Sequence, residues 1–172
     1  MSEPIQALPP VRYTPIGVIR SNHQAAEQTP IQPVYARRCP GRAEVLPEHV
    51  EGLRDLEGFS HLILLYHFHR AGPAQLIVQP FTDDRPRGVF STRHPQRPNP
   101  IGLSVVRLLR IEGGTLHLED VDILDGTPLL DIKPYIRRFD GAAEPRGGWT
   151  ETIDEQTAHR RGLRGFQGGG SS

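Results

Sequence analysis

Arg93, His94 and Arg97 stand in a short stretch, Thr92–Ser104, that also carries Pro95, Pro98 and Pro100. A proline keeps the residue before it out of the helical region and holds it extended, so these side chains sit on stiff backbone. A guanidinium held in place is suited to bidentate capture of a carboxylate or a phosphate. Charge is segregated around this stretch: Arg85 to Arg110 contains six arginines and no acid, and Glu112 to Asp131 contains six acids and neither lysine nor arginine. Pairing of the two segments across a sheet would cancel much of that charge, but it leaves open why arginines crowd beside proline-stiffened turns. The acidic segment holds a turn of its own in "DILDGTPLLDIKPY", Asp122–Tyr135. Asp125-Gly126 is a tight-turn dipeptide, and Pro128 sets the exit direction. Backbone N–H and C=O groups fixed by such a turn can bond an adenine edge or a ribose, although an ordinary hairpin turn has the same spacing.

Other chemistries find less support. His61, His67 and His69 share one parity of an apolar run and would point to one face of a strand. "HFH" could supply two metal ligands, yet spacing names no third, and nothing in the sequence supports His94 or His117 in that place. No metal is therefore expected. There is no G-x-S-x-G, no P-loop and no G-x-G-x-x-G. Cys39 is the single cysteine, so no disulfide can form within the chain; this suits a reducing, cytoplasmic setting. Residues 1–30 show no signal-peptide pattern, and the longest apolar run, Leu62–Phe68, is too short to span a bilayer. No membrane association is expected. A formal net charge of zero means that bulk charge does not mark a nucleic-acid binder.

The elements that must position these groups read as short strands. Eighteen glycines and seventeen prolines in 172 residues disfavour a helical bundle and fit a loop-rich β protein. Strands are predicted over Tyr13–Ser21, Gly41–Pro47, Ser60–His69, Ala74–Pro80, Gly88–Arg93, Gly102–Gly114, Thr115–Leu124 and Thr127–Ile136; Gly102–Gly114 fits helix or strand by period and is read as strand because it runs into Gly113-Gly114. Gly113-Gly114 forms a hairpin turn between two of them. Ser60–His69 is apolar on both parities, which predicts a central strand covered on both faces. Pro47–Phe59 predicts one or two helical turns. Asn22–Pro33 has no period and reads as a long loop, of a length more often functional than idle. No β-α-β alternation occurs, so a Rossmann sheet is not expected. The expected fold is mainly β: a small single-sheet β-barrel of mostly antiparallel strands with one or two short helices, closed so that no edge is exposed. Residues 1–10 read as a flexible arm, 11–139 as the barrel domain, and 140–172 as a Gly/Arg-rich, partly disordered C-terminal tail ending in the low-complexity Gly168–Ser172.

"GVFSTRHPQRPNPIGLS", Gly88–Ser104, followed by "DILDGTPLLDIKPYI", Asp122–Ile136, closely resembles the TsaA/TrmO-like family. "IGVIRS" with "PIQP", and "LRDLEGFSHLILLYHFH", resemble it as well, so the likeness covers roughly residues 13–137. The resemblance implies an S-adenosylmethionine-dependent tRNA methyltransferase acting as a homodimer. Its substrate would be N6 of threonylcarbamoyladenosine beside the anticodon. It also implies cofactor contacts at Pro30, Ile31, Gln32, Phe68, His69, Arg70, Arg93, Leu103, Leu124, Asp125, Gly126 and Thr127. Ile31 stands where the family often has a basic residue, and His94 where a serine is common. For the proton that leaves N6 the candidates are Asp125, Asp131 and His69. For tRNA phosphates or the threonyl carboxylate they are Arg85, Arg87 and Arg97. Two other classes stay open: a non-catalytic S-adenosylmethionine or nucleotide sensor, and a histidine-metal enzyme.

Overall fold

The structure is a computed structural model that describes residues 6–166; residues 1–5 of the expected arm and Gly168–Ser172 lie outside the described residues. Eight strands form among the described residues: β1 Gly17–Ser21, β2 Gly41–Val45, β3 His61–His67, β4 Ile77–Val78, β5 Arg87–Gly88, β6 Ile101–Glu112, β7 Thr115–Glu119 and β8 Thr127–Pro134. Six of them close into an all-antiparallel barrel in the order β1-β2-β7-β6-β3-β8. The Gly113-Gly114 hairpin is present, with Gly113 at φ 59°.

Strand parity decides the interior. Leu62, Leu64 and Tyr66 of β3 face inward, as do Ser104, Val106 and Leu108 of β6 and Leu116 and Leu118 of β7. Ile19, Leu62, Leu64, Leu116 and Leu129 are wholly buried. Burial of each such side chain contributes roughly 1.5–3 kcal/mol relative to exposure, which fixes register, because a one-residue slip would turn every one of them outward. The other parity of β3 is half-buried rather than sealed. Ser60–His69 is thus a barrel strand with one face in the core, not a central strand covered on both.

Four more expectations need correction. Ala74–Pro80 and Gly88–Arg93 shrink to the two-residue ribbon β4–β5, and Val89–Ser91 is a 3-10 turn. Pro73, Pro80 and Pro86 withdraw the backbone donors that a longer ladder would need. β3 ends at His67, so His69 is released from the face that carries His61 and His67. The strand predicted over Thr115–Leu124 stops at Glu119, and Asp120 adopts a left-handed φ of 64° just beyond it.

The segment after Asp140 is more than a tail. Following α1, Arg137–Asp140, come a 3-10 stretch at Gly148–Thr152 and α2, Glu155–Leu163. Asp154 caps α2 by accepting from Thr157 N–H at 2.8 Å. Gly162 is buried against Tyr35, whose ring would lie 2.5 Å from a Cβ at that position. The helix therefore packs on the loop that follows β1 and is held there by contacts distant in sequence.

Candidate active site

One end of the barrel gathers the exits of β1, β3 and β7 and the starts of β6 and β8, because every neighbouring pair is antiparallel. A cavity of about 840 Å³ opens there. Its apolar wall is built by Ile31, Phe68, Leu103 and Leu124, and Arg70, Arg93, Arg97 and Arg164 stand along its lining. Asp122 is the only acid among its described lining residues.

The proline loop is held as its composition requires. Arg97 Nη1 donates to the carbonyls of Thr92 at 3.0 Å and His94 at 3.2 Å, so this guanidinium braces the loop from within. Arg93 donates to the Gln32 side chain, which joins the proline loop to the loop after β1. His94 stacks on Phe81, with ring centroids 5.3 Å apart, and Arg164 covers that ring at 4.3 Å. Burial first, then Arg164 and Arg97, lower the pKa of His94 and favour its neutral form.

Gly102 is essential to the cavity floor. It pairs with Tyr66 across β6 and β3, and a Cβ there would overlap the Tyr66 ring. Tyr66 can therefore lie flat over the backbone and direct its hydroxyl at Ser104, 3.0 Å away. Ser104 donates to Asp122 Oδ1 at 2.6 Å; the Tyr66 hydroxyl must then be the donor to Ser104. Burial pushes Asp122 up to about 7, while Ser104, its own backbone and Arg93 pull in the opposite direction. Burial likewise raises Tyr66, so it remains a neutral phenol.

Of the residues implied as cofactor contacts, Pro30, Ile31, Gln32, Phe68, His69, Arg70, Arg93, Leu103, Leu124 and Thr127 come together in this one cavity. Asp125 and Gly126 brace the turn from outside it. The Asp125 N–H bonds His23 O at 2.8 Å and the Gly126 N–H bonds Ile19 O at 2.9 Å, so the turn does not offer these groups to a ligand. The Asp125 carboxylate accepts from Ser21 N–H at 3.1 Å and lies 3.9 Å from Arg20. Asp131 is on the outward parity of β8, 2.7 Å from Lys133. Neither acid reaches the cavity. His69 does reach it, with Nδ1 3.3 Å from Thr127 Oγ1. Because that hydroxyl donates to Leu124 O, the His69 Nδ1–H is the donor between the two. Burial, then Arg70 and His67, lower its pKa.

The three arginines considered for tRNA separate. Arg87 is held by Asp83 at 2.6 Å and lies over Trp149 at 5.0 Å. Arg97 is spent on loop carbonyls. Arg85 is exposed and its guanidinium has no carboxylate partner among the described residues. Sequence reasoning missed Tyr66, Ser104 and Asp122, and also Trp149, Ile153 and Arg164 of the C-terminal segment, all but Ser104 lining the cavity. The first trio left a trace: polar tips on the inward parity of β3 and β6, and an acid flanked by Val121 and Ile123. No group of three or more metal-ligating side chains occurs among the described residues.

A closed antiparallel barrel with an apolar, arginine-lined cavity at one end defines a small-molecule-binding β-barrel of non-Rossmann type. The chain belongs to the tRNA-methyltransferase O N-terminal domain family, whose model matches residues 18–141. It is 54% identical over 139 residues to a probable S-adenosyl-L-methionine-binding protein of Pyrococcus abyssi, covering 81% of this chain and 76% of that one. It is 42% identical over 135 residues to the tRNA (adenine(37)-N6)-methyltransferase of Homo sapiens, covering 73% of this chain and 30% of the human protein. A crystal structure of TrmO superposes with a TM-score of 0.70 at 45% identity, covering 81% of this chain and 64% of that one. The chain thus spans less than two thirds of the solved relative's length.

Proposed function

We propose that this chain is an S-adenosylmethionine-dependent tRNA methyltransferase acting on N6 of threonylcarbamoyladenosine beside the anticodon. The observation that carries the reading is the convergence of Pro30–Gln32, Phe68–Arg70, Arg93, Leu103, Leu124 and Thr127 on one cavity. Their chemistry fits the cofactor: Ile31, Phe68, Leu103 and Leu124 supply an apolar wall for a purine, and the Arg93 guanidinium supplies a partner for a carboxylate. When bound, the cofactor supplies a methyl group activated on a sulfonium. The chain's part is to hold donor and acceptor in line and exclude water, since proximity and orientation account for much of the acceleration in such transfers. Relatives named as S-adenosyl-L-methionine-binding proteins and as tRNA (adenine(37)-N6)-methyltransferases support the cofactor and the acceptor atom.

Arg85 is the solvent-facing arginine assigned to tRNA phosphate. The working form is a homodimer, joined through the outward face where Ile63 lies against Val105, with Leu65 next along β3. Ile63, Leu65 and Val105 are partly exposed on this outward parity, and an apolar stripe of this kind is suited to a second copy. The substrate places the enzyme in the cytoplasm; no helix among the described residues is long and apolar enough to cross a membrane. Incubation with methyl-labelled S-adenosylmethionine and tRNA from cells lacking the modification tests the reading. Label recovered in N6-methyl-threonylcarbamoyladenosine supports it. Cofactor that is bound but never transferred would replace it with a sensor.

A further inference from the structure

Asp122 is a buried carboxylate, 7% exposed, at the floor of the cavity that the cofactor residues line. It has no ion-pair partner within 4.0 Å among the described residues. Burying a carboxylate without a counter-ion is costly, and such a group persists where its proton affinity has a use. Its surroundings are built with care. Ser104, 1% exposed, donates to Oδ1 at 2.6 Å, and Tyr66, 5% exposed, donates to Ser104 at 3.0 Å. The three residues come from β6, β3 and the segment after β7, and the absence of a side chain at Gly102 gives the Tyr66 ring its place.

We propose that Asp122 is the proton acceptor of the methyl transfer, with Ser104 and Tyr66 as the positioning residues that orient its carboxylate. The inference rests on the methyltransferase reading and deepens it. As the acceptor nitrogen forms its bond to the methyl carbon, that carbon's bond to sulfur breaks and the positive charge passes from sulfur to nitrogen. The nitrogen's N–H bond then breaks, an O–H bond forms on the Asp122 carboxylate, and the neutral acid later returns its proton to water. The acceptor nitrogen is a poor nucleophile, conjugated with both the purine and the carbamoyl group, so a base in the wall that receives its proton has a large effect.

The groups that face Asp122 are Tyr66 from β3, Ser104 from β6, Arg93 from the proline loop and Cys39 from the segment before β2. Desolvation dominates among them, and it makes Asp122 a stronger base than an exposed carboxylate, with a value of about 7. His69 and His94 are the other lining groups with an imidazole lone pair to offer, and burial weakens both as bases.

The test compares wild type, Asp122→Asn, Ser104→Ala and His69→Asn. It reads S-adenosylmethionine affinity by calorimetry, single-turnover methyl transfer to unmodified tRNA between pH 5 and 9, and the Asp122 carboxyl titration by carbon NMR in ligand-free protein. Asp122→Asn is expected to keep cofactor affinity, which also reports that it folds. It should lose about 10²- to 10⁴-fold in transfer rate, the usual range for general-base catalysis, and it should lose the acid limb of the pH profile. Ser104→Ala removes a bond to the charged form, so the acid limb and the NMR titration should both move to higher pH. The idea is overturned if Asp122→Asn transfers methyl at the wild-type rate, if its acid limb persists, if the loss lies wholly in cofactor affinity, or if His69→Asn is the variant that removes the limb. A wild type that transfers methyl to no tRNA overturns the functional reading together with the acceptor role, whereas an active wild type matched by Asp122→Asn overturns the acceptor role alone.

Discussion

The N–H of Ile31 donates to the carbonyl of Gly162 at 3.0 Å, tying the loop after β1 to the C-terminal helix. Tyr35 and His159 meet edge-to-face at 5.9 Å beside it, and Trp149 Nε1 donates to Ser91 O at 2.8 Å. Residues 148–166 therefore form a wall of the cavity. Removing residues 148–172 should leave the barrel folded by circular dichroism, because its core lies among β1–β3 and β6–β8. Cofactor affinity should fall about tenfold or more, in line with losing one to two hydrogen-bonded anchors. Unchanged affinity by calorimetry would remove the segment from the site.

A second prediction concerns Gly102. Gly102→Ala places a methyl group in the space of the buried Tyr66 ring on the neighbouring barrel strand. Overpacking of this kind costs about 1–3 kcal/mol. Chemical denaturation should report that loss, and the Tyr66–Ser104–Asp122 alignment should be disturbed with it. A fully stable, fully active variant would show that the ring has another resting place.

Arg93 gives a third. Its guanidinium is the one that bridges to Gln32 across the cavity. Arg93→Ala should weaken S-adenosylmethionine binding about 10- to 100-fold, the size of a hydrogen bond to a charged group. Arg97→Ala should act more weakly on binding, because Arg97 is engaged with loop carbonyls. Calorimetry on the two variants checks the order.

Stability should also depend on pH through Asp122. Its folded value, about 7, lies above the unfolded value, which is about 4. The folded state thus holds this proton more tightly, and the resulting stabilisation is full below about pH 4 and is lost as pH rises through about 7. Asp122→Asn removes this dependence. The melting temperature of the wild type should fall more steeply between pH 5 and pH 8 than that of the variant, and parallel curves would contradict the assignment.

For the assembly, Ile63→Glu puts a charge on the outward face of β3, opposite Val105 and away from the cavity lining, without touching the core. If the proposed homodimer forms through this face, analytical ultracentrifugation should show a dimer for the wild type and a monomer for the variant. If both sediment alike, the outward stripe is not the joint.

Much of the barrel was legible because strand-forming runs are a local signal. Short apolar runs bounded by glycine, proline and turn residues mark strands whatever the rest of the chain does, but Ser60–His69 is apolar on both parities, so only barrel closure decided that Leu62, Leu64 and Tyr66 face inward. The stiffness of the proline loop was equally local, since proline constrains its own neighbours. Local signals misled where the ladder needed partners: Ala74–Pro80 has the apolar character of a strand, but prolines on both sides left only Ile77–Val78 paired. Asp125 and Asp131 are sequence candidates for accepting the N6 proton, yet orientation sends both away from the cavity.

The sequence by itself determined the all-β character of the fold, its antiparallel closure, the two stiffened loops and the family. Tertiary structure alone decided which polar groups meet. Tyr66, Ser104 and Asp122 are separated by 38 and 18 positions, and α2 finds Tyr35 and Ile31 from the far end of the chain. Such contacts depend on barrel closure and on packing across strands, which no periodicity within a single segment encodes. The family motif marked the cavity's rim, whereas closure placed the buried carboxylate at its floor.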